Sequence, residues 1–351
     1  NKELFYSDEQ NKFFEKLKSK YNIQTVMSYI DRLFNYKALI VGETIIDEYV
    51  FCNPIGKSGK ETYMVFQQEK AEKYLGGILS MAQNLSALVK NVNVLTSIGS
   101  IESHKKKIIR ELNKNINFNF ITKKNSPTIL KKRFIESIDN TKLLGIYSFN
   151  EDKYLGEEER LLINKFKKLK KKVDLLILSD YGHGFFSKKL RREISKLNKF
   201  TSINAQVNSS TIGYHTISKY KKSNLVLMNE KELRHELRDK NSNHIELMKK
   251  LQKIIKCEFI AITQGKRGAT IYSTKNKRII HVPAFARNVV DKVGAGDALF
   301  PILSICLKAK IPMDLSLFIA SISAAINSEN YASRTTLNKI YFKKFIEHCL
   351  K

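Results

Sequence analysis

The chain reads as an α/β fold with a largely parallel central sheet, and three observations say so. Short apolar runs of strand length recur, helical patterns separate most of them, and two stretches carry strand-like pieces with no helix between. The runs are KALIVG (37–42), VNVLTSIG (92–99), VDLLILS (173–179), NLVLMN (224–229) and EFIAIT (258–263). Continuous apolar character over so few residues is the mark of a strand buried on both faces. Amphipathic patterns at 78–89, 157–171, 187–198 and 245–256 lie between the runs. This alternation predicts parallel strands with helices on both faces. The exceptions are 48–75, with TYMVFQQ, and 118–149, with TILKKRFIESI. Paired strands there would form a small flap over the C-terminal edge of the sheet. The chain returns to helices at 295–309, 313–329 and 338–350. Residues 1–36 read as an amphipathic helical linker or appendage, and 37–351 as one domain.

Composition narrows the function classes. The formal charge is +28, yet Lys outnumbers Arg 50 to 12 and the charge is spread over many helices, with local clusters at 104–107 and 165–172. Solvated helix faces account for that better than a nucleic-acid surface does, although the positive field favours an anionic ligand. No run approaches the ~20 apolar residues of a membrane span. The first residues are charged, lack an apolar core and begin with Asn rather than Met, so the expectation is a longer protein. The four cysteines, Cys52, Cys257, Cys306 and Cys349, form no CxxC pair and the seven histidines no HExxH. That speaks against a zinc site or a disulfide framework and for a reducing, cytoplasmic setting.

One segment carries chemistry. VVDKVGAGDALFP (289–301) passes from strand-like to helix-like character through Gly294, Ala295 and Gly296, directly before Asp297. Small residues let a backbone turn tightly against a ligand. The first amides of a helix lack internal partners and favour anions. Asp297 in the first turn is also ordinary helix-end chemistry, so alone it supports either reading. Amides that hold phosphate beside a carboxylate that takes a hydroxyl proton would make a phosphoryl-transfer site.

DKVGAGDALF closely resembles the C-terminal signature of the ribokinase-like, or PfkB, carbohydrate kinases, and other motifs follow in that family's order from about 37 to 350. VGETIIDEY (41–49) resembles the first strand with its sugar-contacting acid, Asp47. Gly76 and Gly77, with Asn84 downstream, resemble the first glycine signature. LMNEKEL (227–233) supplies Asn229 and Glu232, a pattern associated with Mg²⁺ and ATP; the same two residues also fit a capping box. ITQGKRGATIY (262–272) resembles the nucleotide-side strand and turn, with Thr263, Gly265 and Gly268. Within the family, LSDYGHGFFS (178–187), containing Asp180, is similar to a loop of heptose-phosphate kinases, though it fits a plain turn as well. PTILKKRFIESIDNTKLL (127–144) resembles their flap, with Lys131 and Arg133 as phosphate or sugar contacts.

The resemblance implies a three-layer αβα sandwich with a β-strand flap. It implies an enzyme using ATP and Mg²⁺ to phosphorylate a sugar or sugar phosphate, with Asp297 as base and Gly294, Ala295 and Gly296 holding the transferred phosphoryl group. It also implies a fused or associated nucleotidyltransferase, although no HxGH motif occurs in this chain, and pairing of flap edge strands into a homodimer. Four departures stand against it: Ser80 for Asn, His183 for Lys, Lys292 for Thr, and INAQVN (203–208, including Asn204 and Asn208) where D-P-K is usual. Pro301 within the helix opened by Asp297 predicts a kink. The departures motivate the alternative, a catalytically diverged module that binds a sugar nucleotide or a partner enzyme.

Overall fold

The computed structural model describes residues 6–154, 156–207, 211–286, 289–291, 293–329 and 336–351; Lys292 and Asn208 lie outside them. Two helices, α1 (Asp8–Lys18) and α2 (Ile23–Arg32), lead into β1 (Lys37–Gly42). The long hairpin β2 (Thr44–Lys57) and β3 (Met64–Gly77) runs into α3 (Ile78–Ser86). Next come β4 (Asn91–Ile101), α4 (Lys105–Glu111), β5 (Ile116–Pro127), β6 (Ile129–Glu136) and β7 (Lys142–Ser148). The second half is α5 (Gly156–Leu169), β8 (Leu175–Asp180), α6 (Lys188–Ser195), β9 (Phe200–Ala205), β10 (Leu225–Asn229), α7 (Glu230–Leu237), α8 (His244–Ile254) and β11 (Phe259–Thr263). The chain ends with β12 (Ala269–Ser273), β13 (Ile279–Val282), α9 (Ala295–Lys308), α10 (Met313–Ser328) and α11 (Lys339–Leu350).

Nine strands form the main sheet in the order β13-β12-β11-β10-β9-β8-β1-β4-β5. It is parallel from β11 to β5, with β12 and β13 added antiparallel at one end. The period-2 alternation of strands splits its side chains between two cores. Ala38, Ile40, Leu175, Ile177 and Leu225 face α3, α9, α10 and α11. Leu39, Val41, Leu176, Leu178 and Val226 face α5, α6, α7 and α8. This three-layer αβα sandwich is the architecture expected from the sequence.

A second sheet, β3-β2-β6-β7, stands beside the first. The flap stretch expected at 118–149 divides: its first part is β5, paired parallel to β4 on the edge of the main sheet, and only β6 and β7 join β2 and β3. The reason is register. Phe118 and Phe120 continue the main sheet's pairing, and the chain crosses to the flap only after Pro127. Strand β9 was invisible as an apolar run because Thr201, Ser202 and Asn204, all buried, make it polar.

The N-terminal helices are built into the same core. Phe14, Leu17, Val26, Ile30 and Leu33 are buried with α9, α10 and α11. Phe14 stacks on Phe285 at 5.4 Å and meets Phe318 edge-on at 6.1 Å. Lys20 and Tyr21 both hydrogen-bond Asp314, at 2.7 and 2.8 Å. Phe14→Ala is therefore expected to cost about 3–5 kcal/mol of unfolding free energy, within a single denaturant transition. A small loss, or a separate early transition, would mark these helices as an independent appendage.

Candidate active site

The order in which the chain adds parallel strands reverses at β1, with β4 and β5 on one side and β8 to β11 on the other, and ligands of open α/β sheets sit beyond the strand ends at such a switch point. A cavity of about 1360 Å³ lies there, along the C-terminal ends of β8 to β11, under the flap and against the start of α9. Gly294, Ala295, Gly296 and Asp297 line it. Gly294 caps α9 in the left-handed region (φ 84°), a conformation that favours glycine. The first intrahelical bond, Ala298 N–H to Gly294 O, is 2.9 Å. By helix geometry the amides of 295–297 precede that ladder and lack intrahelical acceptors. α9 runs unbroken through Pro301 to Lys308.

The Asp297 carboxyl accepts a hydrogen bond from Gln206 Nε2 at 2.9 Å. Although the residue keeps some exposed surface, burial of its carboxyl group, reinforced by the Asp47 carboxylate, pushes its pKa up to about 7. Lys131, Gln206 and Tyr181 oppose that shift. Gln206 belongs to INAQVN, marked in the sequence as a departure; here it grips the key acid. Neither it nor Tyr181 was singled out from sequence, because an amide beyond a polar strand carries no periodic signal.

The opposite wall is one face of the flap. Cross-strand rows place Asp47 beside Lys131 and Tyr147, and Tyr49 beside Arg133 and Gly145. Arg133 Nη1 donates to Asp47 Oδ1 at 2.5 Å, with both side chains largely buried. Lys131 Nζ lies 5.7 Å from the ring centres of both Tyr147 and Tyr181, and burial holds its pKa below the usual lysine value. Gly76 sits beneath this acid: a Cβ there would come 2.0 Å from Asp47 Oδ2. Gly76→Ala must displace the carboxylate. The expected result is a stability loss of about 1–3 kcal/mol from overpacking, with weaker binding of the ligand that meets the flap face of the cavity. Unchanged binding would show that Asp47 does not meet that ligand.

At the other end of the cavity lie Asn229, Glu232, Thr263, Gly265 and Gly268. Asn229 and Glu232 form the capping box: Glu232 N donates to Asn229 Oδ1 and Asn229 N to Glu232 Oε2, both at 2.8 Å. Val207 N donates to Glu232 Oε1 at 3.3 Å. Burial pushes the Glu232 carboxyl up to about 7, against these bonds. Asn204 is buried, gives its Nδ2 to Leu227 O at 2.9 Å, and leaves Oδ1 without a protein partner in the cavity wall.

Some expected site residues lie elsewhere. Gly77 lines the cavity, but Asn84 does not; it accepts from Leu337 N at 3.3 Å, tying α3 to the approach of α11. Asp180 is buried behind the cavity, bonded by Tyr220 (2.5 Å) and Lys219 (2.7 Å). Ser80 is buried in α3. His183 is buried beside Phe149, and burial together with Lys131 pushes its pKa down to about 4.

Comparison with known proteins identifies the family and the fold. The family model described as pfkB family carbohydrate kinase matches residues 36–339. The bifunctional protein HldE of Aliarcobacter butzleri is 27% identical over 310 residues, covering 86% of this chain and 63% of that protein. HldE of Campylobacter jejuni strain RM1221 is 28% identical over 293 residues, covering 83% and 60%. The chain thus spans less than two thirds of the length of these curated relatives. Among solved structures, ribokinase of Arabidopsis thaliana complexed with ribose and ATP superposes with a TM-score of 0.68 at 14% identity, covering 90% of this chain and 99% of that one. Phosphofructokinase-2 of Escherichia coli gives 0.70 at 13%, covering 91% and 100%. These likenesses establish a ribokinase-like fold. Since the family match begins at the threshold of β1 and runs into α11, taking in both sheets and the turn before Asp297, the chain belongs to the pfkB family of carbohydrate kinases.

Proposed function

We propose that the chain is an ATP-dependent kinase that phosphorylates a hydroxyl of a sugar or sugar phosphate. The observation that carries this reading is the placement of Asp297: it sits in the first turn of α9, beside amides without intrahelical acceptors, in a cavity whose far wall carries Asp47, Lys131 and Arg133. In this reading Asp297 removes the proton from the acceptor hydroxyl as its oxygen bonds to the γ-phosphorus of ATP and the bond from that phosphorus to the β,γ-bridging oxygen breaks, releasing ADP. The amides of 295–297 take up charge on the transferred group. Asp47, Arg133 and the surface at Gly77 orient the sugar, while Gly76 leaves room for the Asp47 carboxylate.

The nucleotide end fits a polyphosphate and a hydrated cation. Positions Gly265 and Gly296 open onto free space where a side chain would stand, and Asn204 Oδ1 is a buried acceptor awaiting a donor. Among the described residues no group of three or more His, Cys, Asp or Glu could hold a metal alone. That suits Mg²⁺, which keeps its water and takes one or two carboxylates with substrate phosphates. Glu232 and Asn229 would hold it, and when bound it would neutralise phosphate charge. Thr263 and Gly268 would flank the nucleotide.

A sugar phosphate, such as a heptose phosphate, is the first substrate class. Lys131 and Arg133 support it, since two cations on one flap face suit a second phosphate. The match to relatives called bifunctional, over less than two thirds of their length, supports a nucleotidyltransferase as fused or associated partner. We place the reaction in the cytoplasm; the four cysteines are free and buried, and no helix among the described residues is long and apolar enough to cross a membrane. The test is ADP release from Mg·ATP against a panel of sugars and sugar phosphates. Turnover on none of them, with tight binding of a sugar nucleotide, would favour a non-catalytic module instead.

A further inference from the structure

We propose that Asp291 is a positioning residue that latches the flap to the turn carrying the anion-holding amides, an inference that rests on the kinase reading above. Asp291 is 2% exposed and stands three residues before Gly294. Its Oδ1 accepts from Val293 N at 3.0 Å, inside the turn itself. The same oxygen accepts from Lys142 Nζ at 2.8 Å, and Oδ2 accepts from the Tyr49 hydroxyl at 2.7 Å. Those two partners come from different flap strands, β7 and β2. On the other side, Val290 N and Asp291 N both donate to Ser328 O, at 2.9 and 3.2 Å, which pins the segment to the end of α10.

The connection continues to the far wall of the cavity. The Arg133 guanidinium lies 5.6 Å from the ring centre of Tyr49 and holds Asp47. One line of contacts therefore runs from the turn before α9, through Asp291, Tyr49 and Arg133, to Asp47. Burying a carboxylate is costly unless it is paired. Holding the Val293 amide alone would need only a neutral acceptor. The charge is matched by a cation and a hydroxyl that both belong to the flap, so the acid serves the junction as well as the turn. Occupation of the anion hole, which braces the turn, then favours the flap position in which Lys142 and Tyr49 reach Asp291. This is a coupling between two sites through shared contacts.

Lys142→Met tests the latch without touching the cavity, because Lys142 is a half-exposed side chain at the start of β7. The probe is Mg²⁺ with AMP-PNP, and the measurement is amide hydrogen exchange in 142–148 with and without it. In the wild type, saturating AMP-PNP is expected to slow exchange there about fivefold or more, the lower end of site-to-site coupling. Lys142→Met and Tyr49→Phe lose most of that nucleotide-dependent difference, and Lys142→Arg keeps it. A merely structural ion pair would shift exchange equally in both states and leave the difference intact. An equal nucleotide effect in Lys142→Met and wild type overturns the latch, as does no effect in a wild type that binds AMP-PNP. Failure of the wild type to bind AMP-PNP removes the kinase reading, and the latch with it.

Discussion

Asp297→Asn is expected to lose about 10²–10⁴-fold in phosphoryl transfer, the range for removing a general base, while binding ATP as well as the wild type does. The pH profile sharpens this. With the carboxyl pushed up to about 7, the base is protonated below that pH. The wild-type kcat/KM should rise about tenfold per pH unit below pH 7 and level off above it. A flat profile between pH 5 and 8 would contradict a base in this environment. The same shift has a stability consequence. Between about 4 and 7 the folded protein retains a proton that the unfolded chain has released, so stability falls as pH rises through that window. Asp297→Asn cannot ionise. Its Tm should therefore exceed that of the wild type above pH 7, and the advantage should vanish below pH 4. Thermal unfolding of both proteins across this range checks the sign.

Arg133→Met carries the second large effect. The Asp47–Arg133 pair is largely buried, and removing one partner strands the other charge. The expected cost is about 3–5 kcal/mol in urea unfolding. The double variant Asp47→Asn with Arg133→Met should recover most of it, since a neutral pair leaves no stranded charge. A single-variant cost below about 1 kcal/mol would place the pair with solvated surface bridges. The kinetic expectation separates stability from function: the double variant folds, yet under the proposed reading, in which Asp47 and Arg133 orient the sugar, its KM for that sugar stays high.

Much of the architecture was legible because burial on two faces writes itself into sequence as unbroken apolar runs. KALIVG became β1 with the bounds read from sequence, and 295–309 became α9 to within one residue. β9 was not legible, because Thr201, Ser202 and Asn204 are polar yet buried, and a partner such as Leu227 O, which accepts from Asn204 Nδ2, lies 23 residues along the chain. The division of 118–149 between two sheets was hidden for a related reason. Strand pattern reports which face of a strand is apolar, but carries no information about which edge accepts its hydrogen bonds.

The candidate site shows the same division. Sequence alone placed an acid behind three small residues at a strand-to-helix junction, because local backbone chemistry dictates local structure, while the family resemblance named the other glycines and the flap cations expected to face it. Which of them share a cavity was decided by tertiary structure: Asp47, Lys131, Arg133 and Asp297 converge there, while Asn84 and Asp180 do not line it. Gln206 on Asp297 and the Asp291 junction with Lys142 and Tyr49 join residues 91, 149 and 242 positions apart. Those contacts, and the elevated pKa they surround, arise only when the packed chain excludes water from several distant segments at once.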